Sequence, residues 1–259
     1  MEADRVVGER RNGTLAAMTS IYTPLLPVNI ASVYADQPLP RRMAMATPDT
    51  AQALDGIVAD LRGLGFNLRL SDMFRSYAQQ KAAHADYVEG RKKAFSPAAG
   101  GSMHEAGRAM DLDLSSIGVP LKRFWEIAAA HGFSPIIDTP DTRISESWHF
   151  DCRGSHSKVY EYVKAGKAGA AVAPYTMMAR SAIASIGILL DAAADQNVAF
   201  LQSALIRLGY DPGPIDGSAG ARTVAALKDA GLDIGQLGYG DHAQNLVTRL
   251  RAKFPQEFV

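Results

Sequence analysis

The stretch SMHEAGRAMDLDL, residues 102–114, decides how the first half of this chain folds. Toward its end apolar and polar side chains alternate, which is the period of a β-strand with two different faces. Met110 lies on one face, and Asp111 and Asp113 lie on the other. The alternation therefore predicts a strand with one acidic face, which the chain enters through a loop that contains His104.

Helical and extended patterns alternate on both sides of this strand. Residues 48–63, 76–89 and 120–130 carry apolar side chains at helical spacing, and a glycine ends or follows each of them. Residues 66–71 and 147–152 have the composition of short strands. The order of these elements predicts an α+β domain in which a small antiparallel sheet is flanked by helices.

A second stretch, ESWHFD, begins at Glu146 and brings further groups suited to metal chemistry. His104, Asp111 and His149 together offer two imidazoles and a carboxylate, a suitable set for a catalytic zinc ion that keeps its fourth position for water. Glu146 can take the proton of that water. The chain has one cysteine, Cys152, which excludes a multi-thiolate zinc site and an internal disulfide.

The spacing Ser-x-His-x-x-Gly-x-Ala-x-Asp, followed by Glu-x-Trp-His, resembles the zinc D-alanyl-D-alanine carboxypeptidase and dipeptidase family. That family also includes phage L-alanoyl-D-glutamate endopeptidases. The resemblance implies one catalytic zinc ion, held by His104, Asp111 and His149. It also implies that Glu146 is the catalytic base. Relatives often carry proline at the position of Ser147, a departure that concerns the shape of this loop.

An upstream segment, FRSYAQQ at residues 74–80, resembles the Arg-Ser-x-x-x-Gln segment of the same family. The resemblance implies that Arg75 lies near the zinc ion and stabilises the oxyanion, and that Gln80 stands for the family's glutamine. We expect Gln80, Ser102 and Trp148 to form the substrate-binding part of the pocket. Ser102 would contribute a hydrogen bond, and Trp148 would pack against the ligand loop.

The last quarter of the chain has a different pattern, with short amphipathic helices separated by turns. The stretches LQSALIRLGY, residues 201–210, and IDGSAGART, residues 215–223, resemble the peptidoglycan-binding domain of three short helices. We therefore expect a small three-helix domain after the zinc peptidase domain. The predicted parts are an irregular N-terminal segment (1–45), the zinc peptidase domain (46–165), a helical connector (166–195) and the peptidoglycan-binding domain (196–259).

Charge and hydropathy narrow the range of partners and locations. The chain has 27 basic and 27 acidic side chains and a pI near 7.0, so it lacks the basic excess that nucleic-acid binding requires. No apolar run reaches the ~20 residues of a membrane span. The basic run Arg91-Lys92-Lys93 is typical of a solvated helix end. We expect a monomer whose partner is peptidoglycan.

The charged N-terminus lacks the apolar core of a secretory signal. The protein is therefore expected to be made in the cytoplasm without a signal peptide and to reach the cell wall by phage-type release or through a secretion machine.

Three functions fit the sequence. The first is a zinc-dependent, endolysin-like peptidoglycan peptidase that cleaves the stem or the cross-link, either as a D,D-carboxypeptidase or as an endopeptidase. The alternative is a non-catalytic peptidoglycan-binding protein on a zinc peptidase fold. The third is a structural zinc protein, which would require a saturated four-ligand site. The motifs favour the first function and leave the bond that is cleaved open.

Overall fold

The computed structural model describes residues 20–33, 38–169, 172–232 and 238–259. Residues 1–19 and 34–37 of the predicted irregular segment lie outside this description. The strands are β1 (Leu26–Pro27), β2 (Ala31–Ser32), β3 (Met45–Ala46), β4 (Arg69–Asp72), β5 (Ala109–Leu112), β6 (Phe133–Pro135) and β7 (His149–Cys152). The α-helices are α1 (Pro48–Gly63), α2 (Tyr77–Val88), α3 (Leu121–Ala130), α4 (Ser157–Lys164), α5 (Pro174–Ser185), α6 (Gln196–Leu208), α7 (Ala221–Asp229) and α8 (Tyr239–Lys253).

Five strands form the central sheet in the order β2-β4-β5-β7-β6. All neighbours in it are antiparallel except β2, which lies parallel to β4. The antiparallel pair β1 and β3 forms a separate small sheet. The α+β class predicted from the sequence is confirmed. The parallel strand was not predicted, because two residues are too few to show an alternating pattern.

Helices α1 and α3 cover one face of the central sheet. Leu54 and Ile57 of α1 and Phe124 of α3 are buried against Met110 and Phe150 of the sheet. The rings of Phe124 and Phe150 meet edge to face with centroids 5.1 Å apart, a favourable geometry for an aromatic pair. The apolar face of β5 that the sequence predicts is therefore the face that packs in the core.

A second apolar cluster lies on the other face of the sheet and joins the predicted domains. It contains Ala109 of β5, Val159 of α4, Met178 of α5 and Ile206 of α6. Helix α5, in the predicted connector, is buried between its neighbours α4 and α6. The division into 46–165, 166–195 and 196–259 stays a prediction, and the three parts share this cluster.

The C-terminal helices form a third cluster around Leu201, Leu227 and Leu246. Helix α6 is capped at its start by Asp195, whose carboxylate accepts hydrogen bonds from two backbone N–H groups, and at its end by Gly209 in the left-handed conformation. Helices α6, α7 and α8 correspond to the three predicted helices. Within the described ranges, no helix is long and apolar enough to cross a membrane.

A buried ion network ties the C-terminal end of the structure to the central sheet. Arg108, just before β5, forms an ion pair with Asp49, in which one terminal nitrogen donates to both carboxylate oxygens at 2.7 and 2.9 Å. Glu257 pairs with Arg207 of α6 and accepts a hydrogen bond from the backbone N–H of Ser155 at 2.7 Å. Arg108 lies 3.8 Å from the same Glu257 carboxylate. These charges are almost completely buried, so each depends on the others for compensation.

Candidate active site

Three potential ligand atoms form a small triangle on the buried side of a pocket. Asp111 Oδ1 lies 3.0 Å from His149 Nδ1 and 3.2 Å from His104 Nε2. The two histidine nitrogens are also 3.2 Å apart. Asp111 of β5 and His149 of β7 are cross-strand partners in the sheet register. The structure therefore brings together the three residues that the sequence motifs predict as metal ligands.

Gly107 lets the chain turn between His104 and Asp111. His104 lies in a 3₁₀ turn, Met103–Ala106, and Gly107 ends this turn with φ of 63°, a conformation that other residues adopt at a cost. A Cβ atom here would lie 2.7 Å from Leu25 and 3.2 Å from the carbonyl oxygen of Met45. Glycine is thus required both for the backbone conformation and for the close approach of β3.

The outer nitrogens of both histidines have partners that fix their tautomers. His104 Nδ1 contacts the carbonyl oxygen of Met73, and His149 Nε2 lies 2.8 Å from Asp151 Oδ1. Because each outer nitrogen can donate its N–H, each inner nitrogen can offer a lone pair to a shared cation once the histidine is neutral. Three electron-pair donors that face one another at 3.0–3.2 Å fit a single cation, and this donor set suits zinc.

The charges at this triangle are strongly coupled in the metal-free protein. Burial would lower the pKa of His149, but Asp151 and Asp111 outweigh it and raise this pKa to about 10. Burial would raise the pKa of Asp111, but His104 and His149 hold it well below its usual value. A proton therefore occupies His149 at neutral pH when no metal is bound, and a metal ion must displace it.

Asp151→Asn is expected to weaken zinc binding by about 10- to 100-fold, because asparagine keeps the shape but loses the charge that orients His149. In the parent protein the apparent zinc affinity should rise about tenfold per pH unit between roughly pH 7 and 9, since one proton leaves His149. In the variant the zinc affinity should depend less steeply on pH, because its His149 has a lower pKa. Competition with a chelator at several pH values measures both effects.

Asp113→Asn is the matched control for this substitution, because Asp113 bonds Ser115 on the surface beside the same strand. The control should bind zinc as the parent does. Equal zinc affinities in Asp151→Asn and the parent would show that Asp151 does not support the ligand.

Glu146 lies on the pocket wall in an unusual backbone conformation. Its φ is 67°, the one positive value among the described non-glycine residues, and its carbonyl oxygen accepts the N–H of His149 at 2.9 Å. The side-chain Oε1 is buried and has no hydrogen-bond partner among the described residues. Burial raises the pKa of this carboxyl group. A pocket-lining carboxyl group on a strained backbone, with a raised pKa and an unpaired oxygen, is suited to bind and deprotonate water.

Arg75 is held beside the ligand triangle by three neighbours. Its Nε donates to Asp72 at 2.5 Å, one terminal nitrogen donates to Gln80 at 3.2 Å, and the other donates to Asp111 Oδ2 at 3.1 Å. Three of the five N–H groups of a guanidinium are thereby engaged. Burial would lower the pKa of Arg75, but Asp72 and Asp111 raise it above its usual value. Arg75 is therefore a fixed cation that also lines the pocket.

Gln80 was predicted to bind substrate, and the structure places it behind Arg75. Its side chain is completely buried. Its Nε2 donates to Ser96 Oγ at 3.0 Å and to the carbonyl oxygen of Pro97 at 2.7 Å, while its Oε1 accepts from Arg75. Every polar atom of the amide is thus occupied. This geometry corrects the prediction, because Gln80 supports the arginine and does not face the pocket.

The pocket next to the triangle has a volume of about 410 Å³, within the range of small-ligand sites. The predicted substrate-binding residues Ser102 and Trp148 both line it. Ser102 Oγ also accepts the backbone N–H of His104 at 3.3 Å, so it stabilises the turn that carries this ligand. The structure therefore brings seven of the eight predicted site residues to the pocket and places Gln80 behind it.

The lining also contains residues that the sequence analysis did not select. Three of them have polar or charged side chains that bear on the site: Lys92, Arg153 and Tyr175. Tyr175 belongs to α5 in the predicted connector, and its hydroxyl donates to Asp151 at 3.2 Å. Asp151 had a signal in the sequence, because it follows His149 by two positions in a strand and therefore shares its face. Tyr175 had none, because only tertiary packing brings α5 to the site.

Two family models match separate parts of this chain. Residues 44–154 match the family described as D-alanyl-D-alanine carboxypeptidase. Residues 194–230 match the family of a peptidoglycan binding domain. The matches confirm both resemblances found in the motifs, and they support a peptidase of peptidoglycan as the general class of protein.

A solved structure and the curated proteins were also compared with the chain. The structure of the LdcB LD-carboxypeptidase is similar at 22% sequence identity with a TM-score of 0.39, and the match covers 50% of this chain and 69% of that chain. No curated protein matches the chain.

Proposed function

We propose that this protein is a zinc-dependent peptidase that hydrolyses peptide bonds in the stem or the cross-link of peptidoglycan. One observation carries the proposal. Glu146 lines the same pocket as the triangle of His104, Asp111 and His149, and one of its carboxylate oxygens has no hydrogen-bond partner among the described residues. Three ligands together with a free base are the composition of a catalytic zinc site, whereas a structural site has four protein ligands.

Each residue of the site has a definable task in this reaction. When bound, zinc supplies Lewis acidity and makes a coordinated water acidic enough to react near neutral pH. Glu146 orients the attacking water, accepts its proton and returns a proton to the leaving amine. Arg75 has one free N–H on each terminal nitrogen and donates hydrogen bonds to the oxyanion as it forms, which is typically worth about 2.7–4 kcal/mol per donor.

The remaining residues keep these groups in place. Gln80 and Asp72 fix the plane of the Arg75 guanidinium, so both are positioning residues. Ser102 holds the turn of His104, and Trp148 supplies an apolar wall next to His149. Because the groups are fixed before substrate binds, little reorganisation is needed during the reaction.

The C-terminal segment supports the cell wall as the place of action. Its match to a peptidoglycan binding domain covers residues 194–230, on α6 and α7. We assign to this segment the binding of the polymer and to the pocket the cleavage of its peptides. If the protein cleaves a bond inside the stem or the cross-link, its role is endolysin-like.

Mass spectrometry of purified peptidoglycan fragments tests this function. The zinc-loaded protein is incubated with the fragments, and metal-depleted protein serves as the control. Loss of a terminal D-alanine identifies a carboxypeptidase, and cleavage inside the stem or the cross-link identifies an endopeptidase. Intact fragments that are nevertheless bound would support the non-catalytic binding protein instead.

A further inference from the structure

Two cationic side chains on the pocket wall have no task in the mechanism above. Lys92 and Arg153 are both half-buried, and both line the cavity that contains the ligand triangle. Neither forms an ion pair within 4.0 Å among the described residues. Arg75 differs from them, because Asp72 and Asp111 already balance its charge.

Arg153 is held rigidly although it lacks an anionic partner. It directly follows β7, and its guanidinium carbon lies 5.5 Å from the ring centroid of Tyr160. Its Nε is buried and has no hydrogen-bond acceptor among the described residues. Stacking on an aromatic ring fixes the plane of the guanidinium, which then presents its N–H groups as a ready fork for a carboxylate.

Lys92 was predicted to belong to a solvated helix end, and the structure corrects this for one of the three residues. Arg91 pairs with Asp86 and Glu89 and stays exposed, as does Lys93. Lys92 instead turns to the pocket. Lys92 acts electrostatically on Glu146 in the same pocket but forms no ion pair with it among the described residues, so its ammonium group can also approach a ligand.

We propose that Arg153 and Lys92 form a carboxylate subsite, which binds an acidic group of the peptide while the site of hydrolysis acts on a neighbouring bond. The subsite rests on the proposed function and defines its substrates as peptides with a free carboxylate near the scissile bond. The carboxylate has two possible sources, the chain terminus and the glutamate of the stem. A half-buried pair of cations attracts either group more strongly than exposed lysines would, because less water screens the charges.

Peptide binding to zinc-loaded Glu146→Gln protein tests the subsite without hydrolysis. The probe is the acetylated peptide L-Ala-D-Glu-L-Lys-D-Ala-D-Ala, with its lysine side chain acetylated. One derivative carries an amide at the terminus, and another carries an amide at the glutamate. Calorimetry gives the dissociation constants. We expect one of the two amides to bind roughly 10- to 100-fold more weakly, and the weaker one identifies the source of the carboxylate.

Arg153→Gln in the same background should remove this discrimination, so that the free and amidated peptides bind equally weakly. Arg153→Lys should restore part of it. Arg143→Gln is the matched control, because Arg143 is 88% exposed and pairs only with Asp141 among the described residues. Thermal melting of each variant verifies that it is folded.

Two results would overturn the subsite. One is equal affinity of the parent binding site for all three peptides, and the other is an unchanged preference in folded Arg153→Gln protein. Failure of the proposed function gives a different result. The zinc-loaded parent protein would then leave the peptide intact, even if it bound the free carboxylate more tightly than the amides.

Discussion

Glu146→Gln should slow peptide hydrolysis by roughly 10²–10⁴-fold, the usual contribution of a general base. Glutamine has the size of glutamate and can still hydrogen-bond water, but it cannot accept the proton. Zinc should remain bound, because the ligand triangle consists of His104, Asp111 and His149. The rate and the zinc content are measured on the same preparation.

The pH profile gives a second readout of the same substitution. Burial raises the pKa of Glu146, and the base works only when it is deprotonated. The rate of the parent enzyme should therefore fall as the pH drops through this raised pKa. The residual activity of the variant should not show this fall at acidic pH. Glu126→Gln, on the surface of α3, is the control and should retain full activity. Loss of zinc from Glu146→Gln would show that Glu146 is more than a base.

Glu257→Ala should lower the free energy of unfolding by about 3–5 kcal/mol, because it leaves a buried charge without its partner. Arg207 would retain only the hydroxyl groups of Ser155 and Ser185, at 2.7 and 3.0 Å. Arg108 would keep Asp49, so the damage is centred on α6. Chemical unfolding at neutral pH measures the change.

Substitution of an exposed ion pair provides the contrast for this effect. Glu126→Ala removes the surface partner of Arg123 and should change stability little, because solvent screens such pairs. A similarly small change in Glu257→Ala would mean that water reaches the network.

Acid should weaken the stabilisation that Glu257 gives to the folded protein. Burial would raise the pKa of this group, but Arg207 and Arg108 keep it below the usual value. The stabilisation is therefore complete above about pH 4.3, the ordinary pKa of glutamate, and is lost as the pH falls through the lower pKa of the folded state. The stability difference between the parent and Glu257→Gln should shrink accordingly.

The same network limits how the C-terminal segment can be studied. Deleting residues 196–259 to test a role in targeting would also remove Arg207 and Glu257 and would expose the cluster shared with α5. A loss of activity would then report on stability. An exposed substitution on α7 such as Lys228→Gln separates wall binding from folding more cleanly, whereas Arg222 bonds Tyr162, Lys167 and Asp211 and so helps to hold α7 in place.

Much of the site could be predicted because its residues have local signatures. The alternation around Asp111 indicated a strand, and the structure has β5 at Ala109–Leu112. The spacing of His104 and Asp111 around Gly107 carried the family motif, and the family match confirms that recognition. The helices were predictable for the same reason, since apolar period and end signals are local properties of the sequence.

The remaining features depend on contacts between distant segments. Lys92 and Arg153 have no spacing that relates them, and only the folded chain places both on one pocket. Gln80 matched a motif, but the motif gives no information on whether its amide faces the substrate or the arginine behind it. The partner of Arg207 is a glutamate on another element, and a charged residue in a helix is more often solvated than buried.

The position of Glu257 near the end of the sequence also determines when, during synthesis, the buried ion network can form. A ribosome makes the ligand strands β5 and β7 long before it reaches this residue, and chains generally begin to fold during synthesis. Until Glu257 emerges, Arg207 has no counter-ion, and the segment around Ser155 that follows β7 lacks its anchor. A nascent or clipped chain would thus contain His104, Asp111 and His149 while a buried arginine still lacks its counter-ion.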